Sequence, residues 1–257
     1  QHVLCEKLPA INANEAYEIS SAARAKGVFS QSFPVWTRFF PLITDLQHFI
    51  HIEKTIGDVH RVFCDFSLAM DMPSLLRYAM YDVTRLKDPA LGAGALLDIG
   101  IYSLTYGYLI LDPNIGTRAA SRTIQSSMTI VDGIDHMDTI ILNYPDQRST
   151  AILTASLNNR TPEAFCRTEG SKGVIVISGY AALNPARLVI SKPSEEDVIK
   201  DYSKLGIGFY FKADAVALDL AAGRTESEVM PLDKTIRIIK TINELRKAHG
   251  VKYPQDT

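Results

Sequence analysis

The 257-residue chain lacks any excess or cluster of positive charge. Its 27 Lys and Arg stand against 29 Asp and Glu, a net charge of −2. Nucleic-acid binding needs a concentrated basic surface, so no nucleic-acid partner is expected. Cysteine is scarce. Cys5, Cys64 and Cys166 are odd in number, far apart and free of any CxxC spacing. That excludes a disulfide framework and points to reduced thiols in a cytoplasmic protein. No continuous apolar run approaches the ~18–20 residues of a membrane span, and no secretory signal is evident, so no membrane partner is expected. A full GxGxxG is also missing. Gly92-Ala93-Gly94-Ala95-Leu96-Leu97 carries Leu97 at the third glycine, and no buried strand leads into it.

What is present is globular: 46% hydrophobic and 22% charged residues, in a chain long enough for one large domain or up to two ordinary ones. Val3-Leu4-Cys5 reads as the tail of a buried strand. Residues 14–26 read as a helix through Ala16, Ile19, Ala22 and Ala23, capped by Asn12 or Asn14 and ended by Gly27. Val28-Phe29 begins a second strand, so the first 35 residues form a β-α-β unit. Residues 40–52 and 95–111 read as helices, the second ended by Asp112-Pro113. Val62, Cys64, Phe66 and Leu68 alternate as a strand does, and so do Ala151, Leu153, Ala155 and Leu157. Residues 174–177 and 187–190 are shorter strands. Helices at 211–222 and 233–249 close the chain. This order predicts an α/β unit followed by an α+β domain, whose mostly antiparallel sheet packs helices on one face.

Several groups of residues could carry chemistry. Asp98 and Tyr102 are four apart on a predicted helix and so share a face. The plain alternative is a buried Tyr satisfied by Asp. Glu6-Lys7 follows a strand, where open α/β sheets place ligands, although a surface pair would look the same. Trp36, the only tryptophan, stands beside Arg38 and could line a pocket; a packed helix start with a snorkelling Arg is the alternative. Asp132, Asp135, His136 and Asp138 hint at a metal. The stretch VDGIDHMDTIIL reads better as a turn and a strand with polar residues on the solvent side, and no metal is expected.

Three stretches together resemble the glucose-fructose oxidoreductase family (Gfo/Idh/MocA), in its dihydrodiol and NADP-dependent D-xylose dehydrogenase branch. They are CEKLPA (5–10), WTRFFP (36–41) and GAGALLDIGIYSL (92–104). LGIGFYFKADAV (205–216) and AGRTESEVMPLDKTI (222–236) are also similar, so the resemblance spans essentially the whole chain. Leu8 separates Lys7 from Pro9 where the family places Pro directly after the lysine. Phe33-Pro34-Val35 replaces an acidic stretch before Trp36.

The resemblance implies a Rossmann domain that holds NADP or NAD, followed by a mixed-sheet substrate domain. On that template residues 1–40 are the C-terminal part of a truncated dinucleotide-binding domain, and 41–257 are a substrate-binding and dimerisation domain. About 100 residues with the glycine-rich turn would be absent. Tyr102 would be the catalytic acid/base, Lys7 the cation that lowers its pKa, and Asp98 the residue that orients substrate or Lys7. Glu6, Lys7, Trp36 and Arg38 would contact cofactor. Trp36, Arg38, Asp98, Phe209 and Tyr210 would contact substrate. The implied activity is NAD(P)-dependent oxidation of a sugar or trans-dihydrodiol hydroxyl, by a homodimer joined through the C-terminal sheet. Cofactor binding by these residues alone is expected to be weak or absent. The alternative is an inactive sugar-binding or dimerisation module.

Overall fold

A computed structural model describes residues 1–5, 10–32, 36–69, 88–202 and 206–256. Glu6 and Lys7 lie outside the described residues. Strands β1 (Val3–Cys5) and β2 (Ser30–Ser32) pair in parallel, with Val3 opposite Ser30. Helix α1 (Ala13–Lys26) joins them. Asn12 caps α1 by accepting from the Glu15 N–H, and Glu15 reaches back to the Ile11 N–H. Gly27, at φ 57°, ends the helix in the left-handed region. The second strand begins later than Val28-Phe29 suggests. Phe29 is instead a fully buried core residue whose N–H donates to the His2 ring.

Helix α2 (Pro41–Gln47) runs into a π-helical turn at His48–Ile52. A large sheet follows, built from β3 (Val59–Ser67), β4 (Thr123–Val131), β5 (Ile134–Tyr144), β6 (Ser149–Ser156), β7 (Ala164–Gly170), β8 (Val174–Gly179), β9 (Pro185–Ser191) and β10 (Val198–Asp201). Its order is β10-β9-β8-β7-β3-β6-β5-β4. Every neighbouring pair is antiparallel except β3–β6, so the sheet is mixed and mostly antiparallel, as expected. One face is closed by rows such as Leu188, Ile177, Cys166, Cys64, Leu153 and Ile140. The opposite face carries the half-buried Val176, Phe63, Ile152 and Ile141, with the exposed Arg167 between Val176 and Phe63.

A second π-helical turn, Leu96–Gly100, leads into α3 (Ile101–Leu111), which lies on the closed face against β3 and β6. Every residue of α3 is buried, so its sequence is apolar all round rather than striped. The segment Pro89–Leu111 is long and apolar enough to cross a membrane, yet 94% of its apolar window is buried inside the fold, as in a core helix. Gly107 permits the approach: a Cβ there would stand 2.8 Å from Leu153 Cδ1. Helix α4 (Phe209–Ala221) and helix α5 (Leu232–Ala248) complete the chain, α5 packing on α1 through Ala10, Ala16, Ile236 and Ile239.

The VDGIDHMDTIIL stretch departs from expectation. Asp132 and Gly133, at φ 52° and 82°, form the tight hairpin turn between β4 and β5. The polar residues after it do not all face solvent: Asp135 and Asp138 are buried. The cause is a bulge. Thr129 pairs with Met137 and Ile130 with Asp135, so His136 is an extra residue that resets the alternation. Asp135 then turns inward together with Asp138, Ile140 and Leu142.

Candidate active site

Four elements bring aromatic rings together. Trp36 opens a 3-10 turn (Trp36–Phe39) that Pro41 converts into α2. Tyr102 lies in the first turn of α3, Phe66 near the end of β3, and Phe209 at the start of α4. The Trp36 and Tyr102 centroids are 5.5 Å apart at 86°, and those of Phe66 and Tyr102 are 5.2 Å apart at 88°; both are edge-to-face contacts. Phe209 tilts over Trp36 at 4.6 Å. Tyr102 is only 1% exposed. Asp98 is half-buried in the π-helical turn that precedes α3.

Arg38 stands two residues beyond Trp36. The snorkelling alternative fails for it, since the residue is only 4% exposed. Among the described residues no carboxylate is within ion-pair distance of Arg38, and its Nε has no hydrogen-bond partner. The Trp36 Nε1–H is likewise buried without one. Burial first, and then the like charge of Arg237, lower the Arg38 pKa to about 9. Lys234, in the first turn of α5, is lowered to about 8 by burial and then by Arg38 and Arg237. Only Arg237 is compensated: its Nη1 is 3.1 Å from Asp112 Oδ2, and its Nη2 donates to the Asp112 carbonyl at 2.8 Å. Among the described residues, these three cations share one carboxylate, Asp112. Such a basin suits an anion, because a buried unpaired charge is costly until one arrives.

Of the residues expected at a site, Trp36, Tyr102 and Phe209 meet directly. Asp98 precedes Tyr102 by four residues, and Arg38 supplies the buried charge. Tyr210 does not join the cluster; it packs on Phe211 at 4.3 Å. Glu6 and Lys7 lie outside the described residues. The sequence reading missed Phe66, Lys234, Arg237 and Lys212, the last buried with its Nζ 6.0 Å above the Phe209 ring. The spacing of Lys234 and Arg237, three apart on one helix, was a usable signal. Phe66 was legible only as a strand residue. The unpartnered donors of Trp36 and Arg38 fit a ligand that carries acceptors and phosphate, which is the chemistry of a dinucleotide.

No protein-family model matches the chain. It is 30% identical over 271 residues to the D-xylose 1-dehydrogenase (NADP(+)) of Hypocrea jecorina, covering 99% of this chain and 68% of that protein. It is 30% identical over 261 residues to the trans-1,2-dihydrobenzene-1,2-diol dehydrogenase of Xenopus laevis, covering 99% and 73%. Among solved structures, the aldose-aldose oxidoreductase of Caulobacter crescentus complexed with glycerol superposes with a TM-score of 0.77 at 17% identity, over 96% of this chain and 70% of that one. A 3-ketoreductase from Actinomadura kijaniata in complex with NADP and TDP-benzene gives 0.74 at 18%, with the same coverage. The two structural matches establish a shared fold, and the two sequence relatives establish descent. The chain belongs to the glucose-fructose oxidoreductase family (Gfo/Idh/MocA), in the branch of the D-xylose and dihydrodiol dehydrogenases.

Proposed function

We propose that this chain carries the substrate site of an NADP-dependent dehydrogenase that oxidises a hydroxyl of a sugar or a trans-dihydrodiol. The observation that carries the proposal is Tyr102, enclosed by the rings of Trp36 and Phe66 on a buried helix, with the uncompensated Arg38 two residues from Trp36. The printed activities of the two sequence relatives supply the substrate classes.

Residues 1–40, with the parallel β1-α1-β2 unit, form the C-terminal part of a Rossmann-type dinucleotide-binding domain, and 41–257 form the substrate domain. Bound NADP supplies a hydride acceptor. Tyr102 takes the proton of the substrate hydroxyl, and Asp98 orients that hydroxyl. A phenol near pKa ~10 is a poor base at neutral pH, and a cation favours its ionised form; Lys7 is proposed for that part. Trp36 offers an apolar ring face, Arg38 holds an anionic group of the cofactor, and Phe66 and Phe209 exclude water. Because the 257 residues contain no GxGxxG turn, they bind NADP(H) weakly on their own. The half-buried row Phe63, Ile152 and Ile141 on the open sheet face supports a homodimer through that face. Sedimentation is expected to show a dimer, and a stable monomer at high concentration would contradict this.

The test is NADP⁺ reduction with D-xylose and with trans-1,2-dihydrobenzene-1,2-diol at saturating cofactor. Turnover with one of them, lowered about 10²–10⁴-fold by Tyr102→Phe, is expected. Sugar binding without turnover would favour the non-catalytic module.

A further inference from the structure

A cavity lies away from Tyr102, at the other end of α3. It holds about 860 Å³ and is bounded by α1, the start of β4 and α5. That volume falls within the range of small-molecule sites. Ile124 and Ile236 give it apolar walls, while Arg122, Arg237, Lys240 and Thr241 give it a polar side.

Two of its lining guanidinium groups lie over the buried ring of Tyr108. Arg237 Cζ is 4.1 Å from the ring centroid and Arg122 Cζ is 5.2 Å. The two arginines are not equivalent. Arg237 spends its terminal nitrogens on Asp112 and on the Asn114 carbonyl. Arg122 donates from Nη2 to Thr241 Oγ1 at a long 3.4 Å and also engages the Tyr108 side chain, and its Nε is buried with no partner. Among the described residues no carboxylate lies within ion-pair distance of Arg122. Thr241 cannot offer Arg122 much more, because its hydroxyl already engages Tyr108 Oη at 2.7 Å and the Arg237 carbonyl at 3.0 Å. Of the acids that line the cavity, Asp233 is tied to Arg24 at 2.9 Å, and Glu244 is the other.

Arg122 therefore brings a guanidinium with no carboxylate partner among the described residues to the wall of a cavity of metabolite size. We infer that this cavity is a binding site for a small organic oxyanion, a carboxylate or phosphate ester on a hydroxylated body. Arg122 is its anchor, Lys240 is its second charge, and Ile124 and Ile236 pack against its carbon skeleton. A planar guanidinium with free donors grips such a group through paired hydrogen bonds. Tyr108 follows Tyr102 by six residues on one helix, an axial rise of about 9 Å, so the cavity lies apart from Tyr102, while Arg237 borders both the cavity and the cation basin.

Calorimetric titration of the whole chain with D-gluconate and with D-glucose 6-phosphate tests this. One of the two is expected to bind saturably, and which one distinguishes carboxylate from phosphate. Arg122→Gln is expected to weaken that binding about ten-fold or more, and Arg38→Met to leave it unchanged. Should Arg122→Gln fail to fold, Lys240→Gln, on the exposed side of α5, reads the same site and is expected to weaken binding about three-fold. Binding of neither anion, or binding that responds to Arg38→Met and not to the cavity variants, would overturn the inference.

Discussion

Replacing Asp138 by Asn removes a buried acid whose cost depends on pH. Asp138 is 3% exposed on β5 beside the fully buried Asp135, whose Oδ2 accepts the Leu96 N–H at 2.6 Å. The facing groups are Arg246, Tyr253 and Asp256. Arg246 is committed to Asp256 at 2.7 Å, so no free cation balances the pair. Burial, then the charge of Asp135, push Asp138 up to about 9. An unfolded aspartate titrates near ~3.9. Between those values the unfolded chain has released a proton that the folded chain still holds. Stability then falls as pH rises, by about 1.4 kcal/mol per pH unit for one retained proton. From about pH 5 to pH 8 the loss is roughly 4 kcal/mol. In Asp138→Asn the amide replaces the protonated carboxyl and this loss disappears. Urea unfolding across that range is expected to show variant and wild type diverging, with the variant increasingly the more stable. Curves that stay parallel across the range would refute the retained proton.

Two further outcomes follow from the cation basin. Arg38→Met removes a buried charge without an acid partner, so it is expected to raise stability by about 1–3 kcal/mol while weakening NADPH binding; urea midpoints and fluorescence titration check the opposed signs. Lys234 titrates at about 8, so its charge is lost as pH rises through that value. Dinucleotide affinity is expected to fall between about pH 7 and pH 9, and Lys234→Met to flatten the profile, as read by titration at each pH.

Local rules made much of the fold legible. Asn12 and Gly27 bracket α1 where capping chemistry places them, and Asp-Gly at 132–133 makes the hairpin. The alternation at Val62, Cys64 and Phe66 finds β3. The edge strand β10 was not legible: Val198 and Ile199 are both exposed, so no inward-facing pattern marks it. Nor was the bulge at His136, because the extra residue is visible only against its partner strand. For the site, family resemblance singled out Trp36, Tyr102 and Phe209, which meet in the structure, and the buried Arg38, while Asp98 falls in a π-helical turn and not on the α-helix expected. Phe66 and the basin formed with Lys234 and Arg237 needed the tertiary structure, since they arrive from elements 28 to 199 residues distant from Arg38.

The central claim is that a nicotinamide ring binds against Trp36. Trp36 is the only tryptophan in the chain, so its emission reports from this site alone. Titration with NADPH up to millimolar concentration, exciting tryptophan and reading sensitised nicotinamide emission, tests the claim directly. The account predicts saturable energy transfer that Arg38→Met weakens. Trp36 emission unmoved by NADPH, or transfer indifferent to Arg38→Met, would contradict it.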